Sequence, residues 1–379
     1  MKEAMGIIYT TKDDLSLREM TMHRSVAALP VAGRYRIIDF LLSNMVNSGV
    51  RNVGVITQMN YSSLMDHLGS GKEWDLHTRN NGLFILPPYI NNSTAGASGY
   101  GGLFDGLRAN LDYLRRSQQD YVILSSSHTV YTTTYDDMLK QHIETGADIT
   151  IMYGKARNDL YFSSSRSIPH AYLNVDKDGR VLDIEVNPNG ANYDNLSLDL
   201  VIIRRALLIY LVNQQLSRDS ADMYSGLLRE NILHGTLDVR GYEYKGYYTR
   251  VEAIRGYYHF NLGLLKSDRY DELFGKSPVY TKERNEVPTV YGANADVRSS
   301  LIADGCVING TVENCVLFRG VKVGNGAVVR NSIIMQDCEL GDNTELDCVI
   351  LDKDVTVHTG GKLISSMHYP IVIGKNATV

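Results

Sequence analysis

Cysteine and tryptophan are scarce in this sequence, and proline is uncommon. The 379 residues include 4 Cys, 1 Trp and 8 Pro, against 33 Gly. The composition therefore excludes a disulfide-stapled module, a collagen-like chain and a proline-rich disordered chain. The spacing of the cysteines matches no zinc-ribbon or redox motif, and we interpret them as reduced, packed thiols: Cys306, Cys315, Cys338 and Cys348.

An excess of positive charge and a long apolar run are also absent. The formal net charge is -5 at pH 7, so no overall positive field is available for a nucleic-acid backbone or an anionic membrane. The longest apolar stretch, residues 198–212, is interrupted by Asp199, Arg204 and Arg205 and predicts no membrane span. The first residues lack the features of a signal peptide. We expect a cytoplasmic protein with neither nucleic-acid nor membrane partners.

The first part of the chain alternates short β-rich apolar runs with helical patterns. Helical spacing of aliphatic residues from Ile37 to Val46, followed by Gly49, predicts one amphipathic helix. The alternation is typical of a Rossmann-like α/β domain with a mixed, mostly parallel sheet, which we place at residues 1–268. Strands are predicted at residues 5–10, 52–58, 121–125 and 149–153, and further helices at residues 104–115 and 135–145.

The last part of the chain, residues 296–379, has a six-residue repeat. Aliphatic residues recur at every sixth position, as at Val323, Val329 and Met335, with Gly, Asn or Asp between them. Three such hexads make one triangular coil, so the pattern predicts a left-handed parallel β-helix; an antiparallel meander is the alternative. The polar segment 269–295 is interpreted as a linker.

Several segments resemble the glucose-1-phosphate adenylyltransferases (ADP-glucose pyrophosphorylases). Residues 24–40 read R-S-V-A-A-L-P-V-A-G-R-Y-R-I-I-D-F, similar to the family's R-A-K-P-A-V-P-F-G-G-K-Y-R-L-I-D-F, and L-S-N-M-V-N-S-G follows at 42–49. Residues 102–110, 121–128 and 246–261 resemble further family motifs, so the resemblance covers essentially the whole chain. It implies a nucleotidyltransferase domain before the β-helix. The family joins ATP to glucose 1-phosphate, releasing pyrophosphate and ADP-glucose.

The triphosphate-binding loop of the family is replaced in this chain. Family members follow the first strand with a G-G-x-G-x-R-L-x-P-L-T turn, whose backbone N–H groups and arginine contact phosphates. Here no glycine remains, Ser16 stands in place of the arginine, and Asp13 and Asp14 add charge that repels a triphosphate. Lys12 or Arg18 could partly replace the lost arginine charge, although neither residue aligns with a position of the motif.

The other positions that the family uses for chemistry are replaced as well. Val26 stands for the lysine of R-A-K-P, and Asn187 stands for the lysine of F-V-E-K-P, which meets the sugar phosphate. Ser127 and Arg250 stand where the family has its two metal-binding carboxylates, and a guanidinium opposes Mg²⁺ directly. The resemblance therefore implies no catalytic residue, no metal site and no cofactor in this chain, with Mg²⁺ expected in a catalytic partner.

Some charged residues keep the family register and are candidates for residual ligand binding. They are Arg24, Arg34, Arg36, Asp105 and His128. For Arg34 and Arg36, an anion site competes with ordinary ion pairs. A buried histidine such as His128 is more often a hydrogen-bonded structural residue than a catalytic one.

A chain with the fold of the family and without its chemistry resembles the noncatalytic GlgD-type subunits of some Gram-positive bacteria. The resemblance implies a regulatory subunit in glycogen biosynthesis, a heterotetramer with a catalytic subunit, and a homo-oligomer as an option for the chain alone. One alternative is an active enzyme with relocated ligands at Asp136, Asp137 or Glu252. Another is a hexapeptide acyltransferase using His358 or His368, and a third is a sugar-phosphate binding module.

Overall fold

The computed structural model contains the two architectures that the sequence patterns predict. An α/β domain is followed by a left-handed parallel β-helix. The predictions made for Lys12, Asp13 and Asp14 lie outside the described residues. The structure describes residues 3–10, 15–58, 60–78, 81–88, 102–162, 168–214 and 223–379.

The α/β domain is built from short strands and helices that alternate along the chain. Its strands are β1 (Ala4–Tyr9), β2 (Pro30–Val31), β3 (Tyr35–Arg36), β4 (Asn52–Ile56), β5 (Gly82–Leu86), β6 (Tyr121–Ser126), β7 (Thr129–Tyr131), β8 (Ile149–Lys155), β9 (Ala171–Val175), β10 (Val181–Val186), β11 (Asn195–Arg204), β12 (Val239–Glu243) and β13 (Tyr248–Arg250). Its helices are α1 (Ile37–Asn47), α2 (Ser62–Leu68), α3 (Leu103–Ala109), α4 (Leu111–Arg116), α5 (Asp136–Thr145), α6 (Arg205–Gln214), α7 (Glu230–Leu233), α8 (Ile254–Gly263) and α9 (Ser267–Phe274).

The main sheet is mixed, with a parallel centre. In the described part of the chain the strand order is β10-β9-β11-β6-β1-β4-β5, and β8 pairs with both β11 and β12. Strands β6, β1, β4 and β5 are parallel, whereas β11 runs antiparallel to β6 and β8. A separate antiparallel pair, β7 and β13, follows the carboxyl end of β6 and brings Arg250 opposite Thr129.

The helix predicted over residues 104–115 is divided into α3 and α4. The break lies at Asn110, whose side-chain amide donates a 2.8 Å hydrogen bond to the Gly106 carbonyl. Asparagine side chains compete in this way with the helical backbone ladder, which explains the interruption.

The β-helix consists of three five-stranded parallel sheets. Its strands are β14 (Val290–Tyr291), β15 (Asp296–Arg298), β16 (Leu301–Ile302), β17 (Val307–Ile308), β18 (Thr311–Glu313), β19 (Val316–Leu317), β20 (Lys322–Val323), β21 (Val328–Arg330), β22 (Ile333–Ile334), β23 (Glu339–Leu340), β24 (Glu345–Asp347), β25 (Val349–Leu351), β26 (Thr356–Val357), β27 (Lys362–Ile364) and β28 (Ile371–Ile373). At one corner Asn314 and Asn331 both adopt positive φ, and their side chains join in a 2.7 Å hydrogen bond. Asparagine tolerates this left-handed conformation better than most residues, so the repeat places it at the turns.

The sheet formed by β16, β19, β22, β25 and β28 packs on the α/β domain. Its outward-facing Val316, Ile333 and Ile350 share one apolar cluster with Tyr257 and Phe260 of α8. The two domains are therefore joined by a continuous core, rather than by the connecting segment alone.

The segment between the domains is shorter than the predicted linker at 269–295. Helix α9 continues to Phe274, and the first β-helix strand begins at Val290. Phe274 extends an aromatic group with Tyr35 and Phe40, which keeps α9 against the α/β domain.

The cysteines are buried inside the β-helix as free thiols. Burial raises the pKa of Cys315 and of Cys338 to about 12, so both are poor nucleophiles. Among the described residues, every helix is too short or too polar to cross a bilayer.

Candidate functional site

The replaced metal positions meet at the carboxyl end of β6. Strand β6 ends at Ser126, and β13 carries Arg250 to the same place through its pairing with β7. On the other side, the register of β11 against β8 shifts between Ser197 and Leu200, and Asp199 takes a φ of 53°. This irregularity directs the Asp199 carboxylate towards Arg250.

Arg250 lies in a buried group of charged side chains, which we call the Arg250 cluster: Arg250, Asp199, Glu252, His128 and His170. Arg250 Nη1 is 2.7 Å from Asp199 Oδ2, and Nε is 2.5 Å from Glu252 Oε1. The guanidinium also donates to the Ser197 carbonyl at 3.1 Å. All of these side chains are buried, and Arg250 itself is 1% exposed. The geometry is that of a desolvated arginine shared by two carboxylates.

Two histidines and a tyrosine form further hydrogen bonds to the carboxylates of Asp199 and Glu252. His170 Nε2 lies 2.6 Å from Glu252 Oε2, and His128 Nε2 lies 3.1 Å from Asp199 Oδ2. Tyr224 donates its hydroxyl to Asp199 Oδ1 at 2.9 Å. Each carboxylate therefore has a hydrogen-bond partner in addition to Arg250, as buried charges require.

The cluster holds both carboxylates ionised. Burial alone would raise the pKa of Glu252, but the Arg250 charge and the His170 hydrogen bond outweigh it and lower the pKa to about 2. The pKa of Asp199 is also lowered, because Arg250 and His128 outweigh its burial. Burial would lower the pKa of Arg250, but its two carboxylate partners raise it above the ordinary value. Arg250 is thus a permanent cation at this position.

The chain Ser126–His128–Asp199 has the residue types of a nucleophilic triad but not its accessibility. Ser126 Oγ is 2.7 Å from His128 Nδ1, and all three residues are at most 3% exposed. A substrate carbonyl cannot reach a hydroxyl buried inside the main sheet. The arrangement supports structure rather than acyl transfer.

A second group of cations lies where the two domains meet. Burial, with Arg36 and Arg24 nearby, lowers the pKa of Lys353 to about 7. Burial, together with Arg34 and Arg284, lowers the pKa of Arg319. Within the described ranges we call this group the junction cations: Arg24, Arg34, Arg36, Arg284, Arg319 and Lys353.

The junction cations include three of the residues selected from the sequence. Arg24 is buried and forms a 2.8 Å ion pair with Asp352 of the β-helix, so it ties the domains together. Arg36 donates to the Ser63 carbonyl at 2.7 Å, and burial lowers its pKa to about 10. Arg34 is exposed beside Tyr35. Only Arg34 of these three is readily available to a ligand.

The other candidates lie apart from the junction cations. His128 belongs to the Arg250 cluster. Asp105 is exposed on α3, 3.6 Å from Arg108. The structure therefore does not bring the five predicted ligand-binding residues into one site.

Replacing Lys353 with methionine is expected to stabilise the protein at low pH. The folded-state pKa of Lys353 is lowered from 10.5 to about 7, so the folded chain bears the full penalty of a buried ammonium below pH 7. The penalty falls as the pH rises from about 7 towards 10.5. We expect Lys353→Met to gain on the order of 1–2 kcal/mol at pH 6 and less at pH 9, measured by urea unfolding.

The control for this prediction is Lys276→Met, which changes an exposed lysine between the domains. It should leave stability unchanged at both pH values. If Lys353→Met instead loses stability at both pH values, the buried ammonium does not destabilise the folded protein.

Comparison with known proteins gives the same two-part division. A nucleotidyl transferase family model matches residues 16–190, and a GlmU-like C-terminal hexapeptide model matches residues 287–364. The glycogen biosynthesis protein GlgD of Bacillus subtilis (strain 168) is 34% identical over 375 residues, covering 98% of this chain and 96% of that protein. The glucose-1-phosphate adenylyltransferase of Clostridium perfringens (strain 13 / Type A) is 30% identical over 381 residues, 94% of this chain and 95% of that protein. The chain belongs to the glucose-1-phosphate adenylyltransferase family.

Within this family the chain also resembles a second GlgD protein. That of Geobacillus stearothermophilus is 37% identical over 354 residues, covering 86% of this chain and 82% of that protein. The match to catalytic and GlgD relatives over most of their length shows that the whole family architecture is present.

The residues at the family's metal positions do not fit Mg²⁺ in this chain. The Arg250 guanidinium lies between the two buried carboxylates, and Ser127 Oγ is buried with no hydrogen-bond partner among the described residues. In the described part of the chain, no group of three or more His, Cys, Asp or Glu side chains is arranged to hold a metal ion. A divalent cation here would meet the fixed positive charge of Arg250, and the carboxylates beside it are already paired with that charge.

The family's phosphate-contacting positions are likewise filled by structural residues. Val26 is buried in the apolar cluster that joins the domains. Ser16 lies in a short 3-10 helix, Leu15–Thr21. Asn187 takes a φ of 48°, and its side chain accepts the His170 N–H at 2.8 Å. Asn187 therefore fixes His170 against the Arg250 cluster.

Two important members of the cluster were not selected from the sequence. Asp199 interrupts an apolar strand, Leu198-Asp199-Leu200, and a lone charge in such a run signals a buried partner. His170 gives no such signal, because its role depends on the distant Glu252.

Proposed function

We propose that this chain is a noncatalytic, regulatory subunit of glucose-1-phosphate adenylyltransferase in glycogen biosynthesis. The observation that carries the proposal is the buried Arg250 guanidinium at a position where the family has a metal-binding carboxylate. The names of the relatives, glycogen biosynthesis proteins GlgD and glucose-1-phosphate adenylyltransferases, support the part of the proposal that concerns glycogen biosynthesis.

The electrostatics of the cluster argue against phosphoryl transfer by this chain. The reaction needs cations that stabilise developing phosphate charge and carboxylates that hold Mg²⁺. Arg250 is neutralised by Asp199 and Glu252 and is buried, so it can serve neither purpose. The loss of one preorganised contact costs on the order of 10² to 10³ in rate, and here several are replaced together.

The alternative of an active enzyme with relocated metal ligands has less support from the structure than the noncatalytic proposal. The Glu252 carboxylate is occupied by Arg250 and His170, and Asp136 and Asp137 are exposed on the first turn of α5. The acyltransferase alternative also lacks support, since the histidines considered for it are exposed near the end of the β-helix.

Assembly would use the first coil of the β-helix. Tyr291 in the first coil pairs with Ile308 in the second, and both side chains point to the interior of the β-helix. Tyr291 is nevertheless 55% exposed, whereas Ile308 is fully buried. Strands β14, β15 and β16 lie at the edges of their sheets, so the apolar interior opens at this end. We call this surface, formed by Tyr291, Val297 and Ile302, the open end.

The occupant that fits the open end is the β-helix of a catalytic subunit. Three unpaired strand edges around an apolar centre are continued best by another triangular coil of the same dimensions. The catalytic relatives align with this chain through the hexapeptide region, so they supply such a coil. A second copy of this chain would fit in the same manner, which accommodates a homo-oligomer of the isolated chain.

The test is an assay of ADP-glucose formation from ATP, glucose 1-phosphate and Mg²⁺. We expect no turnover by the purified chain, turnover by the catalytic subunit of the same organism, and a changed rate or effector response in the mixture. Light scattering should show a complex of the two chains. Turnover by this chain alone at a rate comparable to the catalytic subunit would overturn the noncatalytic assignment.

The assembly surface has a matched pair of variants. Tyr291→Asp places a charge on the open end, whereas Ile364→Asp changes an equally exposed residue near the opposite end of the β-helix. Only Tyr291→Asp should abolish the complex and the effect on the catalytic subunit. Equal behaviour of the two variants would refute the open end as the contact.

A further inference from the structure

A second cavity, unrelated to the Arg250 cluster, lies between α8 and the β-helix. Its volume is about 330 Å³, and it is lined from both domains. The α/β domain contributes Tyr161 and Thr249, and the β-helix contributes Asn314 and Met367. Small-molecule sites commonly begin at this size and lie between domains.

The cavity is on the opposite side of β13 from the Arg250 cluster. Thr249 lines the cavity, and the adjacent Arg250 points into the cluster, because neighbouring side chains on a strand face opposite ways. A ligand in this cavity would not need to enter the replaced metal site.

The walls of the cavity carry an excess of positive charge. Lys266 and Arg269 line it, and Asp159 is the acid that faces them. Asp159 is shared, since it pairs with Arg269 at 3.1 Å and with Arg157 at 2.9 Å. Lys266 is exposed and has no ion pair among the described residues. One carboxylate therefore faces three cations.

Two buried nitrogens, one on the cavity lining and one next to it, lack hydrogen-bond partners. His259 Nε2 and Arg255 Nε both have none within the described ranges. They flank the Tyr161 ring, with the Arg255 guanidinium 4.4 Å and the His259 ring 4.8 Å from its centre. Burial, then Arg255, His368 and Arg269, lower the pKa of His259, which reflects the positive surroundings. Buried polar atoms without partners are uncommon and call for an explanation such as a ligand.

We propose that this cavity binds a small organic anion, of about the size of a sugar phosphate, through Lys266, Arg269 and the Nε2 atom of His259. The recognised group is a phosphate or a carboxylate. Because the lining comes from both domains, the bound anion would also strengthen the contact between α8 and the β-helix. The proposal concerns binding only and does not depend on whether the chain is catalytic.

The local reporter for binding is the imidazole of His259. The full chain, labelled with ¹³C in its histidines, would be titrated with ribose 5-phosphate, inorganic phosphate and succinate, and followed by NMR. We expect a saturable shift of the His259 signal and a rise in its pKa, because an anion favours the protonated ring. A stronger response to ribose 5-phosphate assigns the group as phosphate, and a stronger response to succinate assigns it as carboxylate.

Variants separate this cavity from the junction cations. Arg269→Gln should weaken binding about tenfold, as expected for loss of one charge-assisted contact. Lys266→Gln, at an exposed position without an ion pair, should weaken it without affecting folding. Arg34→Gln, in the junction cations, should leave the His259 response unchanged. The absence of a saturable His259 response to all three probes, or a response lost only in Arg34→Gln, would overturn the proposal.

Discussion

Replacing Arg250 with methionine is expected to lower the free energy of unfolding by about 3–5 kcal/mol at pH 7. The substitution keeps an apolar stem but removes the cation between Asp199 and Glu252, leaving two buried carboxylates. Breaking a buried ion pair from one side is costly, because the remaining charge stays desolvated. Urea unfolding followed by circular dichroism measures the loss.

The pH dependence of this loss has a defined sign. In the intact protein the folded-state pKa of Glu252 is about 2, below its ordinary 4.5, so its contribution to stability is complete above pH 4.5 and lost as the pH falls towards 2. In Arg250→Met, burial without the arginine favours protonated carboxyl groups. The difference between the two proteins should therefore shrink as the pH is lowered from 7 to 4.

An exposed ion pair provides the control for the Arg250 prediction. Arg298 lies 2.7 Å from Asp296 on the surface of the β-helix, and Arg298→Met should leave stability unchanged within error. A loss in Arg250→Met no larger than in Arg298→Met would contradict the structural importance of the cluster.

Replacing Arg24 with methionine is expected to destabilise the protein by about 3 kcal/mol. The Arg24 guanidinium and the Asp352 carboxylate are 2.8 Å apart, and both are buried where the domains meet. Asp352 Oδ2 has no hydrogen-bond partner in the described part, and without Arg24 the Oδ1 atom keeps the Lys353 backbone N–H at 2.7 Å, so removal of Arg24 leaves the charge of the carboxylate poorly compensated. Because Arg24 also lowers the pKa of Lys353, that pKa should rise in the variant.

A double-mutant cycle tests this second prediction. Arg24→Met combined with Asp352→Leu removes both charges, and its stability should recover most of the loss. The exposed pair Lys322–Glu339 serves as control, and Lys322→Met should have no resolvable effect. Additive losses in the double variant would show that the two side chains do not interact.

The β-helix could be predicted from the sequence because its stabilising contacts recur at a short, regular spacing along the chain. Each coil repeats the same contacts, so aliphatic spacing and corner asparagines such as Asn314 and Asn331 already specify the β-helix. The alternating strands and helices of the α/β domain are visible for another reason, because each element has its own spacing of apolar residues. The division of residues 104–115 was not predicted, since it depends on one hydrogen bond from Asn110.

The position of the replaced metal site could be predicted from the sequence, but the side chains that surround Arg250 could not. Motif register identified Ser127 and Arg250, whereas the partners of Arg250 come from β11 and from the second residue after β13. Asp199 and Glu252 converge on Arg250 only after the sheet has formed. The junction cations show the same limit, since Arg24 and Lys353 are 329 positions apart in the sequence and meet only through domain packing.

Arg250 attaches a positive charge covalently to the position where related enzymes require a dissociable ion. A chelator cannot remove this charge, and a fall in the free magnesium concentration does not release it. The core of this domain should therefore keep the same shape across ionic conditions that would empty a true metal site. Such constancy is in keeping with the regulatory role that we propose for the chain.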